Sequence, residues 1–344
     1  MSAVASTSAG DLRRPGRPRI AWLLAVLAAL AGACVLSVTF GTRAVGWSDI
    51  LAGLFGRAET IDQAVVAARA PRTILAALAG AALGLAGAVM QGVTRNPLAD
   101  PGILGVNAGA AMAVVIGVAW FGMASLDAFL WTAILGAAAA AVFVYAVGSL
   151  GRGGATPLKL ALAGAATSIA AASLTIAIVL PRGDIAGGIR SWQVGGVGGA
   201  TWDGILPALP FFAAGFAVSL LSARSLNLLA LGDEVAASLG ARVALARGAS
   251  ALGAALLSGA ATAVCGPIAF VGLVVPHLCR LLVGVDHRWL LPFSALTGAI
   301  LLLAADVLGR MLARPSELDV GIVTAFVGAP VFIWIVRRRR VRDL

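Results

Sequence analysis

The chain has 344 residues, of which 60% are hydrophobic and only 12% charged, with a formal net charge of +10. With a mean hydropathy of +0.99 it cannot be a soluble domain, which could not hide so much apolar surface, and a polytopic α-helical membrane protein is predicted. The positive charge would suggest nucleic acid in a soluble protein. Here the basic residues fall between apolar spans, so membrane orientation explains them and nucleic acid drops out as a partner.

Taken in chain order, a basic tail over 1–19, with Arg13, Arg14, Arg17 and Arg19, precedes an apolar run from Ile20 to about Phe40. That run is long enough to span and lacks an obvious cleavage site, so it reads as the first membrane helix rather than a signal peptide. Ten spans follow from the apolar pattern: about 20–40, 70–92, 102–122, 129–149, 158–180, 204–221, 248–265, 267–284, 289–311 and 320–336. Together they make one ten-helix transmembrane domain over 20–336, closed by a second basic tail over 337–344. Glycines and alanines interleaved with Leu, Val and Ile, as in Gly80-x-x-x-Gly84, read as small residues that let helices approach closely. Cys34, Cys265 and Cys279 have no metal or disulfide spacing and read as packing residues.

Basic tails at both ends place both termini in the cytoplasm, which demands an even number of spans. With ten, 17 of the 25 basic residues fall on the cytoplasmic side. The same count puts a polar island, Ser222 to Arg247, inside the cell. It carries its own helix punctuation, with Ser225 as a candidate N-cap, Gly232 as a stop, Asp233 and Glu234 opening a second turn, and Gly240 closing it. Two short amphipathic helices on one face of a membrane protein predict a soluble partner pressed against them.

At the opposite side, Arg69-Ala70-Pro71-Arg72 opens the second span, with Pro71 in the first helical turn and Arg69 exposed. Arg310 reaches the same surface from the end of span nine. Two outward arginines suit docking of an acidic soluble partner. Interfacial snorkelling, or an ion pair between Arg310 and Asp306 four residues earlier, explains them equally well.

Gln91 and the run Arg95-Asn96-Pro97-Leu98-Ala99-Asp100-Pro101 close the second span as a structured turn or as lining of a pathway. Pro97-Leu98-Ala99-Asp100-Pro101-Gly102 recurs as Pro267-Ile268-Ala269-Phe270-Val271-Gly272, once on each side of the membrane. That is the pattern of an inverted transporter repeat. A phosphate-binding loop is absent, because the only lysine, Lys159, lacks the glycine pattern before it. His277 and His287 have no partners at metal-ligand spacing. Only Asp306 lies clearly within a span, which leaves little with which to run on an ion gradient. Energy is therefore expected from a partner.

These stretches resemble the FecCD-type permease subunits of ATP-binding-cassette importers for iron-siderophore, haem and cobalamin. The likeness runs through Arg69-x-Pro71-Arg72, Met90-Gln91, Arg95 to Val106, Trp192-Gln193-x-Gly195, Leu231-Gly232-Asp233 to Leu239-Gly240, Gly266 to Leu273, Pro276-His277, Asp286-His287-Arg288, Asp306 to Arg310, and Gly328 to Phe332. Its pattern is nearest the ferric-enterobactin type. Glu317-Leu318-Asp319-Val320-Gly321 departs from the family's Glu-Leu-Pro-Val/Ile-Gly.

The resemblance implies an all-α, ten-helix fold with an inverted internal repeat (a type II importer permease) in the cytoplasmic membrane. It also implies a second permease copy or paralogue, an extracytoplasmic substrate-binding protein, and a cytoplasmic ATPase that carries ATP-Mg, with no cofactor on this chain. Leu226, Leu231, Gly232, Asp233, Glu234, Ala236, Leu239 and Gly240 would seat on the ATPase. Arg69 and Arg310 would meet glutamates of the binding protein.

Overall fold

The computed structural model describes residues 16–43, 45–55, 59–150 and 156–338. Most of the two basic tails, together with Arg57 and Arg152, lies outside the described residues.

Every regular element described is helical: α1 (Gly16–Thr39), α2 (Trp47–Leu54), α3 (Ile61–Thr94), α4 (Val106–Phe121), α5 (Leu126–Ser149), α6 (Pro157–Val179), α7 (Gly183–Val194), α8 (Trp202–Ile205), α9 (Leu209–Leu221), α10 (Ala223–Leu229), α11 (Asp233–Ser238), α12 (Val243–Cys265), α13 (Val271–Val283), α14 (His287–Leu312) and α15 (Val320–Arg338). Helices stand at each of the ten expected positions. Seven helices are long and apolar enough to cross a membrane on their own. Three shorter apolar ones, Val106–Phe121, Val271–Val283 and Val320–Ile333, stand where spans three, eight and ten were expected. The first two are short for a physical reason, whereas α15 itself runs on to Arg338. A 3-10 turn at Pro101–Leu104 and the left-handed Gly105 precede α4, and the non-helical stretch before Val271 precedes α13. Proline and glycine thus break the helix inside the domain, which is tolerated where protein rather than lipid surrounds the backbone.

The bundle has an inner and an outer set of helices. The spanning stretches of α3, α12 and α14 are 78%, 67% and 61% buried, whereas that of α1 is 11% buried. Glycine allows this crowding. A Cβ on Gly87 would stand 1.9 Å from the Gly272 carbonyl oxygen, and one on Gly298 would stand 2.2 Å from that of Gly80. The small residues read from the sequence therefore let α3 meet α13 and α14 backbone to backbone.

Two boundaries differ from expectation. α3 begins at Ile61, so Pro71 lies inside the helix rather than in its first turn. At 34 residues the helix is about 51 Å long and overshoots a ~30 Å hydrocarbon core, and α2 packs along the projecting part. α12 begins at Val243, which makes Arg247 part of a spanning helix instead of the island.

Candidate functional site

The bundle has two polar ends. At one end lies the island, folded as α10 and α11. Ser222 rather than Ser225 precedes α10, and Ser225 sits within the helix. Gly232 separates the two helices at φ +102° and Gly240 follows the second at φ +83°, backbone that an L side chain rarely adopts.

The eight island residues divide by the direction they face. Leu226 and Ala236 are fully buried, as is Leu229, and these residues anchor the island to the bundle. Asp233 is also occupied, pairing with Arg95 at 3.2 Å and with Arg247 at 3.0 Å. Arg95 reaches it from a left-handed turn, φ 52°, that ends α3. Leu231, Glu234, Val235, Leu239 and Gly240 are exposed. Val235 and Leu239 lie one helical turn apart and present an apolar ridge, with Leu231 exposed before the break at Gly232.

Sequence reasoning missed Asn227, which clasps the island to α14. Its Nδ2 donates to Asp286 Oδ1 at 2.7 Å, and its Oδ1 accepts from the His287 backbone N–H at 2.9 Å and faces His287 Nδ1 at 2.8 Å. Asp286 also caps α14 through the Arg288 N–H. Burial alone pushes the Asp286 carboxyl up. The hydrogen bonds from Asn227 and Arg288, with the charges of Arg288 and Arg19, hold it below the ordinary carboxylate range.

The two copies of the repeated motif start at opposite ends of the bundle, Pro97 beside the island and Pro267 against Gly195, and meet at their last residues. A Cβ on Gly272 would stand 2.9 Å from Asp100 Oδ2 and 3.0 Å from Pro101 Cδ. Gln91 brackets this junction. Its Nε2 donates to the Gly272 and Leu273 carbonyls, and its Oε1 accepts from Arg280. Asn96 forms a local turn by accepting from the Leu98 N–H. Pro267 packs its carbonyl against Gly195. Asn96, Pro267 and Gly272 are thus engaged in turns or packing, while Gln91, besides its hydrogen bonds, lines an open cavity together with Pro97. Close by, Ser258 and Thr262 of α12 both donate to Asn107 Oδ1.

At the far end the expectation of exposed arginines fails. Arg69 is 5% and Arg310 2% exposed. Arg69 donates to the carbonyls of Val38, Thr39 and Arg43, and Arg310 to those of Ser37 and Phe40. The last turn of a helix leaves its carbonyls without partners, and these two side chains supply them for α1. Arg310 also pairs with Asp306 at 2.7 Å, the intrahelical ion pair weighed from the sequence. The third partner was not legible. Arg72 ties Asp306 at 2.8 Å to Glu317 at 2.6 Å, joining α3, α14 and the segment before α15.

Comparison with known proteins adds the following. The model of the FecCD transport family matches residues 27–338. The ferric enterobactin transport system permease FepD of Escherichia coli is 46% identical over 309 residues, covering 89% of this chain and 92% of that protein. The hemin transport system permease HmuU of Yersinia pestis is 42% identical, covering 79% and 82%. A solved metal-chelate type ABC transporter in an inward-facing conformation superposes with a TM-score of 0.81 at 28% identity, over 93% of this chain and 99% of that one.

Proposed function

The chain belongs to the FecCD transport family, and from that premise we propose that it is the permease subunit of an ATP-driven importer for an iron(III)-siderophore complex. The single observation that carries the coupling half of this reading is the exposed ridge of Val235 and Leu239, with Leu231 and Glu234 exposed beside it, on an island locked to the bundle by buried Leu226 and Ala236. A rigidly mounted apolar ridge is a surface for receiving force. The chain has no phosphate loop of its own, so the ATPase is a separate subunit. The excess of basic residues orients the island, and both termini, to the cytoplasm. The binding protein then docks on the far face, and a second permease copy or paralogue completes the pathway. Transport follows alternating access.

Arg69 and Arg310 support the far face by holding α1. Contact with glutamates of a binding protein would require them to release its carbonyls. A carrier that runs on an ion gradient is disfavoured because Asp306, the carboxylate within a span, is held between Arg72 and Arg310. The siderophore cargo rests on likeness to the enterobactin permease. HmuU, named for hemin, keeps haem as the second reading, with cobalamin or an oxyanion as further cargoes of the same importer class.

Uptake of labelled ferric siderophore and of haem, in a deletion strain complemented with this chain, decides the cargo. Uptake of the siderophore that requires ATP is the expected result, and uptake of haem alone would overturn it. Glu234→Arg, or a bulky residue at Gly240, should uncouple ATP hydrolysis from uptake in a chain that still inserts. Normal uptake by both variants would sink the coupling assignment.

A further inference from the structure

A cavity of about 860 Å³ opens at the island end, walled by the ends of α1, α3, α10, α13 and α14. Four guanidinium groups line it, from Arg19, Arg95, Arg280 and Arg288, against the single carboxylate of Asp286. Some of these groups are already engaged. Arg95 pairs with Asp233 and Arg280 donates to the neutral Gln91 amide, while Asp286 is itself taken up by Asn227 and the start of α14. Arg19 is different. Its guanidinium lies 5.8 Å from the Trp289 ring centroid, and its Nε is buried with no hydrogen-bond partner. A buried donor left unmet costs free energy, so an acceptor belongs there.

The orienting bias of membrane proteins puts arginines at this end in any case. It does not account for four of them converging from four separate segments on one concavity, nor for the orphaned Nε. The volume lies in the ~300–1,000 Å³ range of small-ligand sites. The walls also indicate where the ligand comes from. Arg19 stands on the first turns of α1, the spanning helix whose apolar stretch is only 11% buried by the rest of the chain and so is open to lipid. Trp289, beside it, is the residue type enriched where a bilayer meets water. Basic pockets between spanning helices on the cytoplasmic side suit phosphate-bearing headgroups.

We propose that this cavity binds a phosphate group, delivered as the headgroup of an anionic phospholipid from the leaflet at the island end. A headgroup seated there bridges Arg19 and Arg288, tying the start of α1 to the start of α14. It also touches the island itself, because Ala230 and Leu231 share the wall. This site is independent of what the protein carries.

Native mass spectrometry of the full-length chain tests it, after delipidation and titration with cardiolipin, phosphatidylglycerol, phosphatidylcholine or inorganic phosphate. The expected result is retention of one anionic phospholipid in preference to phosphatidylcholine. Arg19→Gln with Arg288→Gln should weaken that binding about tenfold or more. Arg288→Gln alone, at an exposed side chain, should weaken it measurably while helix content stays unchanged. Equal binding of phosphatidylcholine, or undiminished anionic-lipid affinity in Arg288→Gln, would overturn the proposal. Saturation by inorganic phosphate at the expense of lipid would also overturn it, by making the ligand a soluble anion.

Discussion

Arg72 on α3 grips Asp306 on α14 through two nitrogens, its Nε 3.0 Å and its Nη2 2.8 Å from the same carboxylate oxygen. Arg310 takes the other oxygen at 2.7 Å. Asp306 is fully buried and pairs with both guanidinium groups, while Glu317 takes a further contact from Arg72 nearer the surface.

Asp306→Asn should therefore destabilise the protein by about 3–5 kcal/mol, the cost of leaving a buried charge unpaired. Thermal unfolding in detergent measures it. Removing Arg310 as well, as Asp306→Asn with Arg310→Met, should recover part of the loss. A double variant worse than the sum of the two single ones would contradict the pairing.

Arg69→Ala should loosen α1 without dismantling the bundle. It strips donors from three carbonyls at and just after the end of α1, and hydrogen bonds from a charged group are each worth about 1.5–3 kcal/mol. Hydrogen exchange at residues 36–43 should rise while that of the buried half of α3 does not. Unchanged exchange at the end of α1 would show that the cap is dispensable.

The island offers a contrast between two leucines. Leu226→Ala opens a cavity under α10 and should cost about 2–5 kcal/mol of stability. Leu239→Ala removes an exposed side chain and should leave stability within about 0.5 kcal/mol. Only the second should impair co-purification with the ATPase in a chain of normal stability. Similar melting behaviour for the two would contradict the division of the island into an anchored and a presented face.

Gly87→Val should fail where Gly187→Val is harmless. A Cβ at Gly87 meets the Gly272 backbone at 1.9 Å, whereas at Gly187 it meets nothing within 4 Å. Backbone cannot yield as a flexible side chain can, so α3 and α13 must part. Folded yield after membrane extraction reads the difference.

The clasp between Asn227 and Asp286 carries a pH signature. The folded carboxyl lies below its ordinary value, so its stabilising contribution is complete above about pH 4 and is lost as the pH falls through the folded value. Asn227→Ala removes one of the bonds that hold it down, so the loss should begin at a higher pH. Thermal unfolding across a pH series should show the variant dropping away from wild type on the acid side. Parallel curves would remove Asn227 as a cause.

The sequence by itself determined what depends on local composition. Ten apolar runs showed the spans, because a helix in lipid must be apolar along its whole length. Gly232 and Gly240 showed the breaks around α11, because they hold positive φ. The Asp306 to Arg310 spacing allowed their ion pair, because four residues make one helical turn. Tertiary structure alone decided whom the arginines serve. Arg310 reaches Ser37 across 273 positions and Arg72 reaches Asp306 across 234, and no periodicity records such a pairing. Hence Arg69 and Arg310 read as outward charges in the sequence, while in the fold they close the end of α1. Burial works in the same way on the island. Residues of one short segment divide into anchors and ridge only when a bundle stands behind them, because a side chain is inside only relative to what packs against it.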